Sequence, residues 1–263
     1  MGNELFRDRV PKRIIGRIDV KNGRVVKGVM MEGVKPVGDP IMMSQKYYRQ
    51  GIDEIIILDT VASLYKRTEL PNIIANIVKD VFVPVCAGGG VSSCKEAEKL
   101  FYSGADKICV NSGAIQNPDL IRNLSKEFGS QSIVLQLDAR LLNSEFRVFY
   151  NTGRDLGDKK MSEWIRISQD NGIGEIIVTS IEKDGTGKGP DFHLIEFVDK
   201  YVKVPMIYGG GVSSTNQIDT LFAETNISGV ALASYLHIDG MSICDIKSTL
   251  ELSGHLIRQD ITL

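Results

Sequence analysis

The sequence is poor in residues that bind metals. Its four cysteines, Cys86, Cys94, Cys109 and Cys244, show no CxxC spacing, and with only three histidines, His193, His237 and His255, no zinc cluster can be written. Cysteines without a pairing pattern in a chain of this size point to a reducing, cytoplasmic setting. No apolar run reaches the roughly 18 residues of a membrane span, so no membrane partner is expected. The first residues, MGNELFRDRVPKR, are charged and carry no apolar stretch of a secretory signal; MGNELF also lacks the Ser or Thr at position 6 of a myristoylation site. A net charge of -2 gives no basic field for nucleic acid. With 43% apolar and 24% charged residues, the chain is neither disordered, collagenous nor a disulfide miniprotein.

What is present is a repeat. Gly51-Ile52-Asp53-Glu54-Ile55-Ile56 recurs 121 residues later as Gly172-Ile173-Gly174-Glu175-Ile176-Ile177. Val83-Pro84 followed by Gly88-Gly89-Gly90-Val91-Ser92-Ser93 recurs at the same offset of 121 as Val204-Pro205 followed by Gly209-Gly210-Gly211-Val212-Ser213-Ser214. The 263 residues read as two similar halves, about 12–131 and 132–253, within one domain. Each half alternates short apolar runs with segments of helical period. The strand candidates are Arg13–Val20, Glu54–Asp59, Val83–Ala87, Lys107–Val110, Ser132–Asp138, Glu175–Ser180, Val204–Tyr208 and Gly229–Ala233. Helices are expected over Ser93–Tyr102, Pro118–Phe128 and Asp191–Tyr201, with Pro118 and Asp191 at helix starts. Apolar runs buried on both faces suit a parallel sheet, and eight such units without a compositional break predict an α/β fold, a closed (β/α)8 TIM barrel; an open doubly wound sheet is the weaker alternative. The long connections 21–38 and 139–159 follow strand C-termini, where barrel active sites lie, and are candidate substrate loops.

Gly88-Gly89-Gly90 follows a strand and precedes a helix, a place where bare backbone and a helix N-terminus receive an oxyanion. Asn111-Ser112-Gly113 can complete that grip. Gly209-Gly210-Gly211 with Ser234 makes the second copy, at the position where this fold commonly binds phosphate. The plain alternative is that the glycines only make tight turns; two triplets half a barrel apart favour a substrate with a phosphate at each end. Neither triplet reads GxGxxG, so neither is a dinucleotide fingerprint. Between the grips, Asp19 ends the first strand and Asp138 the fifth, which face each other across a barrel. Facing carboxylates can divide acid and base work if their surroundings differ. Asp184, in Thr179-Ser180-Ile181-Glu182-Lys183-Asp184-Gly185-Thr186, orients the substrate or simply makes a turn before glycine. Lys27 meets a phosphate or is a solvated loop lysine.

Strand alternation makes a further expectation. If Asp19 faces the lumen, so do Arg17, Ile15 and Arg13; the same reasoning puts Lys107 below Cys109 and Asn111, and Glu175 below Ile177 and Thr179. With Glu54, the repeat partner of Glu175, the residues Arg13, Lys107 and Glu175 form a neutral charged ring at the barrel floor. It is either a structural plug or a gate that admits a small molecule.

These residues carry a resemblance. From about Lys12 to His237 the chain resembles the cyclase subunit of imidazole glycerol phosphate synthase, of histidine biosynthesis. The match rests on Arg13-Ile14-Ile15, Asp19-Val20-Lys21-Asn22-Gly23-Arg24-Val25-Val26-Lys27-Gly28, Gly38-Asp39-Pro40 and Glu54-Ile55-Ile56-Ile57-Leu58-Asp59. It continues through Gly88-Gly89-Gly90, Ala105-Asp106-Lys107, Asn111-Ser112, Asn117-Pro118, Asp184-Gly185-Thr186 and Ala231-Leu232-Ala233-Ser234. The resemblance implies a (β/α)8 barrel that combines ammonia with a bisphosphorylated formimino-aminoimidazole-carboxamide ribonucleotide, giving imidazole glycerol phosphate and aminoimidazole carboxamide ribonucleotide. It implies catalytic roles for Asp19 and Asp138. Substrate and phosphate contacts are implied at Lys27, Gly89, Gly90, Asn111, Thr179, Asp184, Gly185, Gly210, Gly211 and Ser234. It implies a glutaminase partner docked at the floor near Asp106, ammonia entering past Arg13, Glu54, Lys107 and Glu175, and no metal or organic cofactor.

Four places depart from the family pattern. Arg17 and Gln136 stand two residues before Asp19 and Asp138, where small residues are usual; an arginine there would favour the ionised form of Asp19. Tyr208 would narrow the second phosphate grip, and the Asn151–Gly157 loop differs. The ring positions all match. A rival is therefore a paralogue that relays ammonia from a glutaminase to a third, sugar-amidating partner; a further alternative is a sugar-phosphate isomerase, which needs no glutaminase.

Overall fold

The computed structural model describes residues 10–65, 69–238 and 240–258. Among the described residues there are twelve strands: β1 (Arg13–Lys21), β2 (Arg24–Val29), β3 (Glu32–Gly38), β4 (Glu54–Asp59), β5 (Val85–Gly88), β6 (Lys107–Val110), β7 (Ile133–Leu142), β8 (Glu145–Tyr150), β9 (Asp155–Lys160), β10 (Glu175–Ser180), β11 (Met206–Gly209) and β12 (Gly229–Leu232). Eight of them run parallel in the order β10-β11-β12-β1-β4-β5-β6-β7, and pairing of β7 with β10 closes the ring. This is the expected (β/α)8 barrel. In it β1 and β7 are four strand steps apart in either direction, so Asp19 and Asp138 stand on opposite walls.

The strands form here because alternate residues serve two apolar compartments. Outward residues such as Ile14, Ile18, Ile57, Val110, Leu135 and Val178 are buried against the helix layer. Inward residues Ile15, Ile56, Cys86, Cys109, Val134, Ile177, Ile207 and Ala231, with Leu58, fill the lumen. Two strands begin later than their apolar runs. Pro84 and Pro205 have no N–H for the ladder, so β5 and β11 start after them, although both proline carbonyls still accept from neighbouring strands, from Ile55 and Ile176 at 3.0 Å each.

The repeat extends to helix caps. Ser93 caps the helix Cys94–Tyr102 by accepting from the Glu96 N–H, and Glu96 returns to the Ser92 N–H. At the matching positions Ser214 accepts from the Gln217 N–H, and Gln217 returns to the Ser213 N–H. This reciprocal arrangement is a capping box displaced by one residue, and it fixes each helix just beyond a glycine triplet. Asp191 similarly caps Phe192–Asp199, while Pro118 precedes Asp119–Phe128.

The two long connections are ordered as antiparallel hairpins. β2 and β3 fold back from β1, and β8 and β9 from the extended β7. Pro36 lies in β3, which pairs on one side only, where a missing donor is tolerated. No helix among the described residues is long and apolar enough to cross a membrane.

Candidate active site

Along the lumen the side chains sort into three layers. At the floor lie the first residues of four strands, Arg13, Glu54, Lys107 and Glu175. Arg13 donates to Glu54 at 2.8 Å and to Glu175; Lys107 donates to Glu54 at 2.9 Å and to Glu175 at 2.8 Å. Each charge therefore has two partners of opposite sign. Arg13 also reaches the Ser228 hydroxyl at 2.9 Å, a contact that sequence alternation does not reveal because Ser228 precedes its strand. Burial raises the Glu54 carboxyl, with Lys107 and Arg13 opposing; burial works against both cations, but the two carboxylates outweigh it and raise them. Asp106 is exposed at the same end, with its carboxylate accepting from the Val85 N–H at 2.8 Å. Above the floor comes the apolar lumen layer.

The third layer is the mouth. Arg17 Nε donates to Asp19 at 3.0 Å, and Arg17 Nη1 donates across the lumen to the Thr179 hydroxyl at 2.9 Å. Burial works against the Arg17 charge, but Asp19, Asp184 and Asp138 more than compensate and raise its pKa. Asp138 has neutral donors instead: Gln136 Nε2 at 2.8 and 3.0 Å and Asn111 Nδ2 at 2.8 Å. Burial pushes its carboxyl up to about 6, against the opposing pull of Arg17 and Gln136. So Arg17 pairs with Asp19, and Gln136 serves Asp138; the two lumenal departures do not pair with each other. Two acids on opposite walls thus sit in different surroundings, one ion-paired and one held by amides, as acid–base division requires.

The mouth opens into a cavity of two lobes. The first is lined by Gly89, Gly90, Asn111 and Ser112 together with Asp19 and Asp138. The second is lined by Gly185, Gly210, Gly211 and Ser234. Arg17, Lys27 and Asp184 line both and form the waist between them. Gly89 has φ +105, and a Cβ there would lie 2.2 Å from the Asp59 carbonyl oxygen, so only glycine fits the turn. Gly211, at φ +80, would meet the Gly189 carbonyl oxygen at 2.2 Å.

The structure brings nearly all the anticipated mouth residues to this cavity, and it changes the reading of three. Lys27 is a buried side chain paired with Asp184 at 2.7 Å, which ties the β2–β3 hairpin to the loop after β10; Met30 N–H reinforces the tie by donating to the Asp184 carbonyl at 2.8 Å. Thr179 lines neither lobe and faces Arg17. Tyr208 does not narrow the second grip. Strand phase sends Ile207 into the lumen and Tyr208 outward into the helix layer, where its hydroxyl accepts from the Asp191 N–H at 2.8 Å.

One wall comes from the long connection 139–159, expected as a substrate loop and found as a hairpin. The β8–β9 turn places Thr152 at φ 60, unusual for a β-branched residue, with its hydroxyl donating to the Thr60 carbonyl at 2.7 Å. Asn151 N–H donates to the Ser112 hydroxyl at 3.0 Å. These two bonds close the hairpin over the first lobe. Among the described residues no group of three or more His, Cys, Asp or Glu side chains is arranged to hold a metal ion.

The comparisons agree with this geometry. A family model described as "Histidine biosynthesis protein" matches residues 13–242. The chain is 40% identical over 249 residues to the "Imidazole glycerol phosphate synthase subunit HisF" of Bacillus cereus, covering 94% of this chain and 98% of the relative. It is 36% identical over 248 residues to the protein of that name from Streptococcus gordonii, again covering 94% and 98%. Identity to the one from Nitrosopumilus maritimus is 35% over 254 residues, covering 91% and 96%.

Proposed function

The chain belongs to the histidine biosynthesis protein family, and on that premise we propose that it is the ammonia-dependent cyclase subunit of an imidazole glycerol phosphate synthase. Its substrate is the bisphosphorylated formimino-aminoimidazole-carboxamide ribonucleotide. Ammonia adds, water leaves, and the chain between the phosphates is cut and closed to give imidazole glycerol phosphate and aminoimidazole carboxamide ribonucleotide. The observation that carries this reading is a pair of adjoining lobes, each with its own glycine loop, with Asp19 and Asp138 on opposite walls of the first.

One phosphate rests on Gly89, Gly90 and Asn111, the other on Gly210, Gly211 and Ser234. Backbone N–H groups and helix starts suit both. With both ends fixed, the reacting centre lies between the carboxylates, and holding it there removes much of the entropic cost of reaction. Asp138, its carboxyl pushed up to about 6 by burial, is suited to give and retake a proton, and Asp19 handles the complementary transfer. The residues need no metal or organic cofactor for these steps.

The relatives are named as subunits, and the reading for this chain is likewise a two-component enzyme. A glutaminase docks on the floor beside Asp106 and releases ammonia below the ring of Arg13, Glu54, Lys107 and Glu175. Ammonia is small and neutral; it crosses the apolar lumen once the ring parts. The relay and isomerase readings draw no support from the relatives.

The experiment is turnover of the purified chain with the bisphosphorylated ribonucleotide and ammonium salt at mildly alkaline pH, then with glutamine and a glutaminase subunit in place of ammonium. Imidazole glycerol phosphate from both sources is the expected result. A folded chain that activates the glutaminase yet forms no product from either source would show the reading to be wrong.

A further inference from the structure

Arg17 has more donors than the protein uses. A guanidinium carries five N–H bonds in a rigid planar fork. Here Nε serves Asp19 and one Nη1 hydrogen serves Thr179, while Nη2 meets no protein acceptor among the described residues. The side chain is 8% exposed, and Nη2 is not among the fully buried atoms left without a partner, so its donors keep access to the cavity. That access is at the waist of the cavity, because Arg17 lines both lobes. An oxygen of a ligand in the waist can accept from this charged donor, which the protein leaves without a partner.

The charges at the waist say what kind of acceptor. Arg17 is balanced by Asp19 at 3.0 Å, and Lys27 by Asp184 at 2.7 Å. No cation is in surplus, so the waist offers directed hydrogen bonds without a net positive field. It suits a neutral oxygen better than a third phosphate. The two glycine loops, whose donors are backbone groups at helix starts, remain the places for the anionic ends.

We infer that Arg17 is a substrate-contacting residue that donates a hydrogen bond to a neutral hydroxyl or carbonyl oxygen in the middle of the bisphosphorylated substrate, and so selects for oxygenated linkers between two phosphates. The inference rests on the cyclase reading for the identity of the substrate. It gives Arg17 a role beyond pairing with Asp19, and it makes the departure at this position part of substrate recognition.

The test is calorimetric binding of the bisphosphorylated ribonucleotide without ammonium, so that no turnover intervenes. Arg17→Met keeps the length of the side chain and loses every donor; binding is expected to weaken tenfold or more, the usual worth of a hydrogen bond from a charged donor. Arg17→Lys keeps the charge beside Asp19 but loses the fork, and weakens binding at least threefold; it decides the matter if the Met variant does not fold. Asp19→Asn is the comparison for action through the carboxylate, and Arg17→Met should exceed its effect at least threefold. Inorganic phosphate, used as a probe of the glycine loops, should bind both Arg17 variants as it binds the wild type. Arg17 variants that bind the ribonucleotide within twofold of wild type would overturn the inference and leave the cyclase reading standing. Loss of phosphate binding together with the ribonucleotide would also overturn it, by placing Arg17 on a phosphate. A wild-type chain that does not bind the ribonucleotide would remove the cyclase reading and the inference with it.

Discussion

The two ends of the same lumen hold similar residues in different states of completion. At the floor, two cations and two carboxylates satisfy one another in a closed ring, each with two partners. At the mouth, Arg17 has one carboxylate, Lys27 has one, and Asp138 is held only by amides. A closed ring has nothing left to offer a ligand. An incomplete network keeps donors and a proton in reserve. Sequence alone lists charged residues at both ends; which set is spent and which is available depends on distances.

Substitutions at the two ends sharpen this contrast. The largest effect is expected at the mouth. Asp138→Asn keeps the shape but cannot exchange a proton, and ammonium-dependent turnover should fall about 10³-fold, about 4 kcal/mol of barrel-mouth chemistry, in steady-state rates. At the floor the cost is in stability instead. Arg13→Met leaves Glu54 and Glu175 sharing Lys107 alone, and urea unfolding should show a loss of about 3 kcal/mol. If Arg13→Met were neutral in stability, the ring would be less coupled than its geometry states.

A third prediction concerns pH. Burial lifts the Asp138 carboxyl from 3.8 to about 6, so the native state holds this proton more tightly than the unfolded chain. Its contribution to stability is therefore full below pH 3.8 and is lost as pH rises through about 6. Asp138→Asn removes that loss. The stability of the variant relative to wild type should improve by about 2–3 kcal/mol between pH 4 and pH 7, read from parallel urea titrations. The smallest effect is expected at Gln136. Its amide donates twice to Asp138 and holds the carboxyl down against burial. Gln136→Leu should move the acidic limb of the rate profile upward by up to about one pH unit. A limb that stays in place or moves down would mean that another group sets it.

The parts of the fold that are legible in sequence are those with a local physical cause. Barrel strands read clearly because burial on both faces leaves them almost wholly apolar, and the glycine loops read because side chains would collide there, as at Gly89. The constant offset of 121 makes the strands and caps of the two halves predict each other. The hairpins β2–β3 and β8–β9 were not legible as strands. Their outer strands are exposed, polar or interrupted by Pro36, so neither alternation nor apolar runs mark them. At the site, lumen-facing positions followed from strand phase, which placed Arg17 and the floor ring. The same rule, applied to Tyr208, turns that ring away from the grip, since its neighbour Ile207 takes the lumen. Pairings across long separations were beyond reach. Lys27 with Asp184, and Arg17 with Thr179, join residues 157 and 162 positions apart, and only the closed barrel brings them together.

The most direct test of the division between mouth and floor is ammonium-dependent turnover of two variants measured side by side, Asp19→Asn and Arg13→Met. Ammonium supplied in solution does not need the floor. The account predicts that Asp19→Asn loses turnover about 10³-fold while Arg13→Met, assayed well below its melting point, stays within about twofold of wild type. Normal turnover by Asp19→Asn, or an equal loss in both variants, would contradict it.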